Sequence, residues 1–407
     1  MNLSDILRIN KYIKIYILCV LCICWIIVPL YSVFTLFLFL GLIKTNNIEK
    51  YFYLFLIAVS LGLVNFTRYP ESDLHTYYET FNALRDVSIY NFSQVVLLDP
   101  AFYFLSTILS HLVDGYGPYF SLFWTTIIYY IAFIAILSIS KELNLSIKWT
   151  VGILSFTAFV GYNFMLTSHL VRQYVAMSFL ILSFILLIRE RKNVYLFFII
   201  SFLMHHSAII FFPIIYIIKN NYIKNNNFFL YTALFLIISF IIGNENILLY
   251  LTYLPDTSFE SMNFIIQKSY ILLDKNDGDL RLRAIIEILT IFILVAIVFF
   301  KDREYALIGL KILYIYIFFF SLLIIFRNTD LLLLRYSFYS YGITIIALPY
   351  IVKKFNIFSY FLLSFLILSA PLRFIRVFEN SGWTYIENSK LIIGHSLFDF
   401  LSNGFSI

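Results

Sequence analysis

Apolar runs of about 16 to 25 residues recur from one end of this chain to the other, and short polar segments between them carry most of its charge. A helix of that length matches the hydrocarbon thickness of a bilayer. Hydrocarbon offers no partner to backbone polar groups, so runs of this kind must be helical. Of 407 residues, 61% are hydrophobic and 13% charged, which would leave a water-soluble fold of this size covered in apolar side chains. The sequence therefore predicts an all-α polytopic integral membrane protein. It would be a single transmembrane domain over 1–407 with about 10–11 membrane helices.

Helices are expected near 15–43, 51–66, 119–140, 150–167, 170–188, 228–243, 284–300, 305–326, 331–352 and 355–371. The 46 Phe and 32 Tyr suit lipid-facing surfaces and interfacial belts. A net charge of +6 fits basic loops facing anionic lipid and gives no reason to expect nucleic-acid binding. Cys19, Cys22 and Cys24 lie inside the first apolar run and read as packing residues, not as a zinc or redox pair. That run is too long for a cleavable signal and lacks a cleavage site. Pro29 could kink it.

Lys and Arg in short loops mark the cytoplasmic side. Lys44 and Lys50, Lys141 and Lys148, 189–192, Lys219 and Lys224, 301–311, and Lys353 with Lys354 can all lie inside only if one apolar segment enters and leaves on the same side. The candidate is 194–218, broken at Met204-His205-His206-Ser207. Each arm of about a dozen residues would reach about 17 Å, near the midplane. A re-entrant helical hairpin with the histidines at its tip is expected, the alternative being a plain crossing with a buried His pair. This topology puts the loops 67–118 and 244–283, the turn at Ser168–His169, the turn at 327–330 and the tail 372–407 outside. Within 67–118, 74–84 could form an amphipathic helix, and 101–112 is too short to span; both belong to the interface or dip into the bundle.

Ionisable groups at membrane depth are costly and usually functional. One cluster is Arg68-Tyr69-Pro70-Glu71-Ser72-Asp73 with Tyr77 and Tyr78. The planar fork of Arg68 could bind phosphate, and Asp73, with Tyr77 at i+4 on one helical face, could hold a sugar or orient a hydroxyl. The same residues also fit an ordinary helix cap with a snorkelling Arg. A second cluster is Ser168-His169-Leu170-Val171-Arg172-Gln173, where Arg172 either snorkels or faces the bundle beside Gln173. A third is His205-His206: helical neighbours diverge by about 100°, so the pair is no preformed metal clamp, and no metal is assigned. A fourth is Arg335, with Tyr339 at i+4 and Asp330 before it. Arg68, Asp73, Arg172 and Arg335 would meet at the outer leaflet, with the histidines reaching from below. Several guanidiniums and one carboxylate suit a diphosphate headgroup and a hydroxyl nucleophile.

These residues resemble a known family. Arg68-Tyr69, Ser72-Asp73 and Tyr77 after the second helix look like the EpsG-like group of Wzy-type polysaccharide polymerases. So do Leu170-Val171-Arg172-Gln173 with Ala176, and Phe202-Leu203-Met204-His205-His206-Ser207-Ala208-Ile209-Ile210 with Pro213. Order and spacing match over 60–215, with a looser match at 335–339. The chain departs from the pattern at Leu74, where an aromatic is common, and in doubling the His; His206, before Ser207-Ala208, fits best. The resemblance implies a fold similar to membrane glycosyltransferases of type C. It also implies polymerisation of O-antigen, capsule or exopolysaccharide at the outer face of the bacterial cytoplasmic membrane, from undecaprenyl-diphosphate-linked repeat units. No cofactor is implied, and a flippase and a chain-length regulator are the protein partners. In that reading Arg172 and Arg335, with Arg68, neutralise the leaving diphosphate. Asp73 takes or directs the acceptor proton, and His206 donates to the diphosphate or acts as the alternative base. Tyr77 and Tyr78 meet sugar; Gln173, His205 and Tyr339 complete the substrate-binding set. The rival classes are a flippase of the same lipid-linked unit, a membrane O-acyltransferase, a polysaccharide ligase and a structural subunit.

Overall fold

The computed structural model describes residues 11–42, 45–70, 73–88, 99–161, 164–220, 304–326, 335–354 and 395–403, with isolated positions between 293 and 299. Among these every regular element is helical. Among the described residues four helices are long and apolar enough to cross a membrane, Asn47–Phe66, Gly117–Glu142, Val171–Ile188 and Ala306–Ile325, in line with the expected polytopic membrane architecture. The expected helices 228–243 and 355–371, most of 284–300, the loop 244–283, the turn 327–330 and most of the tail 372–407 lie outside the described residues. The chain divides into two compact units, Met1–Leu182 with Ile199–Ser207 and Tyr360–Ile407, and Ser183–Phe198 with Ala208–Ser359.

In the first unit, the opening apolar run is two helices, α1 Lys11–Ile27 and α2 Pro29–Leu42. The break falls where the sequence puts Pro29, whose missing N–H is harmless only in a first helical turn. Ser60 serves the joint: it accepts from Trp25 Nε1 at 2.8 Å and donates toward the Pro29 carbonyl at 3.2 Å. Helix α3, Asn47–Phe66, starts with a reciprocal cap. Glu49 N–H donates to Asn46 Oδ1 at 2.8 Å and Asn46 N–H to Glu49 Oε2 at 2.9 Å. Short helices α4, Asp73–Ala83, and α5, Pro100–Leu112, occupy the stretch where the sequence expected interfacial segments. They are tied together by Ser110 Oγ donating to Phe81 O at 2.6 Å.

Helix α6, Gly117–Glu142, packs along α3. A Cβ at Gly62 would lie 2.6 Å from Thr126 Oγ1 and 2.7 Å from the Leu122 carbonyl, so only glycine permits this approach. Towards the site end of α3, buried Asn65 donates to Thr125 Oγ1 at 2.8 Å and Thr167 Oγ1 at 3.3 Å.

The helix expected over 150–167 is not continuous. It comprises α7, Ile147–Phe156, a π turn at Thr157–Gly161, and α8, Phe164–His169. Thr157 Oγ1 bonds back to the Ile153 carbonyl at 2.9 Å, a contact that bends helices, and π turns often mark functional regions. Helix α9 follows as Val171–Ile188.

The segment after α9 behaves as the charge pattern required. Helix α10, Val194–Met204, ends at the histidines; a 3-10 turn, His206–Phe211, leads into α11, Phe212–Lys219. Lys219 Nζ donates to the Arg191 carbonyl at 3.0 Å, so the two ends of the segment meet, as a re-entrant hairpin requires. Pro213 stands in the first turn of α11. At the other end of α10, Ser201 Oγ donates to the Ala176 carbonyl of α9 at 2.6 Å.

In the second unit, α12 (Ala306–Ile325) packs on α13 (Tyr339–Lys354). Lys311 of α12, 7% exposed, donates from Nζ to the Ile188 carbonyl at 3.2 Å and to Glu190 Oε1 at 2.8 Å. Helix α14, Leu397–Asn403, belongs to the first unit, where it touches α1.

Candidate active site

The centre of the first unit's polar cluster is Asp99, in the N-cap position of α5 with Pro100 behind it. An Asp there would ordinarily accept from the backbone N–H groups of its own first turn. This one makes no such bond, and its backbone is left-handed, φ 59° and ψ 49°. A non-glycine residue held so costs on the order of 1–3 kcal/mol and persists only where its surroundings over-determine it. The surroundings are clear. The Asp99 side chain is 0% exposed and accepts from Arg172 Nη1 at 2.9 Å and His205 Nδ1 at 3.0 Å through Oδ2. Through Oδ1 it accepts from the His206 backbone N–H and from His206 Nδ1, both at 2.9 Å.

Two fixed donors, the charged Arg172 guanidinium and the His206 backbone N–H, favour the ionised carboxylate. Burial works to raise the Asp99 carboxyl pKa, but the hydrogen bonds from His205 and His206 outweigh it and hold it well below the ordinary carboxylate range. Because the carboxylate can only accept, each imidazole places its proton on Nδ1, leaving Nε2 as a lone pair in the neutral ring. His206 has half of its side chain open, 50%, against 15% for His205. The convergence follows from the break in α10. Met204 ends the helix, the 3-10 turn begins at His206, and two neighbouring rings that a continuous helix would splay apart meet edge to face at 4.6 Å. The sequence argument against a preformed pair assumed a continuous helix.

Arg172 stands in the first turn of α9 and lies against two phenol rings. Its guanidinium carbon is 5.7 Å from the ring centres of both Tyr77 and Tyr103. Nη1 donates to Tyr103 Oη at 3.2 Å and Nε to Tyr77 Oη at a long 3.4 Å. The rings are themselves braced. Tyr77 stacks on Phe120 at 5.6 Å, Tyr103 meets Phe102 edge-on at 5.5 Å, and Phe102 stacks on Trp124 of α6 at 4.6 Å. Among the described residues the guanidinium thus has one charged partner and two aromatic faces, and its side chain is still 31% exposed.

Other residues singled out in the sequence fall as follows. Arg68, buried at the end of α3, contacts Ser168 Oγ and His169 Nε2 at the end of α8. Gln173 is buried beside Arg172. Asp73, in the first turn of α4, is exposed and one turn from Tyr77; the acid against Arg172 and the histidines is Asp99. Tyr78 shares a hydrogen bond with Ser121 at 2.8 Å and packs its ring on Gly117, between α4 and α6. Arg335 and Tyr339 belong to the second unit. There Arg335 is exposed, and Tyr339 is buried with its ring 5.0 Å from Phe211.

Asp99 and Tyr103 were missed in the sequence. Asp-Pro ahead of an apolar run reads as a helix start, and that reading hides the acid. The available signal was spacing: Asp99 and Tyr103, at i and i+4, share one face of a helix too short to span. As for metals, Asp99, His205 and His206 bring ligand atoms within 4.8 Å of one another, a donor set that a divalent ion can use. The Arg172 cation already 2.9 Å from Oδ2 would repel such an ion.

In the first unit a carboxylate, two imidazoles and a guanidinium thus gather where α10 ends, in a chain whose long apolar helices suit a membrane. The sequence model of the EpsG family matches residues 50–387, and the chain belongs to that family, one of Wzy-type polysaccharide polymerases. Its general activity is therefore of the polysaccharide polymerase type, by glycosyl transfer. No curated protein and no solved structure matches the chain.

Proposed function

We propose that the protein joins polyprenyl-diphosphate-linked oligosaccharide repeat units, with undecaprenyl as the lipid, at the outer face of a bacterial cytoplasmic membrane. The observation that carries this reading is Asp99, held in a strained backbone so that one carboxylate serves Arg172, His205 and His206. Nε2 of His206, with Nδ1 anchored on Asp99, takes the proton of the acceptor sugar hydroxyl. The hydroxyl oxygen bonds to the anomeric carbon of the growing glycan as that carbon's bond to the lipid diphosphate breaks. Arg172 neutralises the diphosphate as it leaves, stabilising charge that grows in the transition state. Arg68 with Ser168 and His169 extends the anion-binding surface. Asp73, exposed near Tyr77, meets the sugar and not the proton. The sugar is already activated, so no cofactor enters the scheme. A flippase would supply the outward-facing unit and a chain-length regulator would act beside it.

The test is complementation of a deletion strain with Asp99→Asn, His206→Ala and Arg172→Ala, each checked for membrane level, with the surface glycan resolved on a gel. The expected result is a ladder collapsed to single units exposed on the outer face, with His206→Ala lowering turnover by about 10²-fold or more. Normal long chains from Asp99→Asn and Arg172→Ala would dismiss the assignment. Units trapped inside the cell would indicate a flippase instead, and long chains left on the lipid a ligase.

A further inference from the structure

We propose that Asp99 occupies Arg172 as an internal substitute for the donor's diphosphate, so that donor binding takes the guanidinium off Asp99 and thereby primes the base. The inference rests on the preceding reading of Arg172 as a diphosphate ligand. The resting guanidinium spends its polar contacts on one carboxylate oxygen at 2.9 Å and two phenols at 3.2 and 3.4 Å. Asp99 is sealed, 0% exposed, while Arg172 keeps 31% of its side chain open. The arginine is the member of the pair that an incoming ligand can reach. A diphosphate offers more negative charge than one carboxylate, and paired oxygens that match the planar fork.

The consequence for the base follows from how the carboxylate is shared. Arg172 and His205 both use Oδ2, and His206 uses Oδ1 twice. Once Arg172 turns to phosphate, the carboxylate's charge falls wholly on the two imidazoles and strengthens their hold on a proton. The acceptor hydroxyl then meets its strongest base only after the donor is in place. The rings of Tyr77 and Tyr103 each lie 5.7 Å from the guanidinium carbon and limit it to a short swing. Tyr103 rides on the same helix as Asp99, one turn on, so both resting contacts of Nη1 come from a single element.

The experiment measures binding of inorganic pyrophosphate to the full-length protein in nanodiscs by calorimetry. Asp99→Asn, which makes no polymer, should bind pyrophosphate about tenfold tighter than wild type, because a close charge pair no longer competes for the guanidinium. Tyr103→Phe leaves the buried carboxylate satisfied and is the safer variant to fold; it should bind about threefold tighter, the worth of one hydrogen bond. Unchanged or weaker binding in both variants overturns the proposal. If Arg172→Met loses binding while the other two stay at the wild-type level, the latch alone fails. If Arg172→Met binds as well as wild type, Arg172 is no diphosphate ligand, and the latch falls with that reading.

Discussion

Among the described residues three acids, Asp99, Asp114 and Glu190, hold left-handed backbones; Asp99 and Glu190 form ion pairs of almost equal length, and of these two only Asp99 lacks a local reason. Glu190 has φ 55° and meets Lys311 at 2.8 Å; Asp99 has φ 59° and meets Arg172 at 2.9 Å. Glu190 follows the end of α9. Its N–H bonds the Leu187 carbonyl and the Arg191 N–H the Leu186 carbonyl, the paired bonds of a helix terminus that calls for positive φ. Lys311 closes the same end by bonding the Ile188 carbonyl. Asp99 stands before a helix, where no such rule applies, and it forgoes the cap its position offers. Strain that a helix end explains marks architecture. Strain that only distant partners explain motivates the proposal of a site.

The sharpest break between the two is substitution by glycine, which relieves the left-handed backbone at either position. Asp99→Gly should abolish polymer, a fall of at least about 10²-fold, and leave the Arg172 side chain without its buried counter-charge. Loss of such a partner costs about 3–5 kcal/mol, read as a lower unfolding temperature in detergent. A variant with normal ladders and unchanged melting would erase the distinction between the two acids.

How far the sequence reaches follows the same line. Helices α3, α6, α9 and α12 are legible because their apolar runs match bilayer thickness, and the hairpin because the basic loops demand a segment that returns. Lys219 reaching the Arg191 carbonyl is the physical form of that demand. Asp73 attracted attention because Arg68, Ser72 and Tyr77 stand near it in sequence. Asp99 has its partners 73 and 106 residues away, beyond what local pattern carries. The histidines were visible, but their convergence depends on α10 ending at Met204, which periodicity places only within a residue or two.

Next in size is Lys311→Met. It removes a 7% exposed cation that caps α9 and answers Glu190, and should lower stability by about 1–3 kcal/mol. Polymer length in the surviving protein should stay normal. Shortened chains at wild-type protein level would mean that this end of α9 also belongs to the working part.

Acid separates the pair by degree. Both carboxyls lie below their ordinary values. Asp99 does so through the histidine hydrogen bonds that overcome its burial, Glu190 through its hydrogen bond from Lys311. A depressed carboxyl contributes stability that is complete above its unfolded value of about 4 and is lost as pH falls further, through the folded value. Melting should therefore be insensitive to these groups between about pH 7 and 5 and decline below about 4. That decline should be reduced in Asp99→Asn and nearly intact in Glu190→Gln, whose side chain in the wild type is 61% exposed and screened.

Glu190→Gly is the converse of Asp99→Gly. Relief of the backbone, loss of a mostly exposed ion pair and the greater freedom of glycine when unfolded nearly cancel, leaving a change within about 0.5 kcal/mol and an unaltered ladder. A large loss would show that the Glu190–Lys311 contact is worth far more than its exposure implies.

The smallest expected effect is none, and it bears on what balances Asp99. With ligand atoms within 4.8 Å, Asp99, His205 and His206 have the donor types of a divalent site. In that case the two imidazoles would be ligands, with no lone pair on Nδ1 left for a proton, and Arg172 would be a repelled neighbour. In the arrangement described, the guanidinium supplies the positive charge and the imidazole protons on Nδ1 fill the remaining carboxylate lone pairs, so a cation finds the carboxylate already balanced and both Nδ1 atoms already protonated. Polymerisation by purified protein should accordingly survive prolonged EDTA treatment at full rate and be slowed by added zinc, which would take the imidazoles from Asp99. Activity lost to EDTA and restored by one divalent metal would replace the acid–imidazole base with metal chemistry, and Asp99 would then be strained to hold an ion.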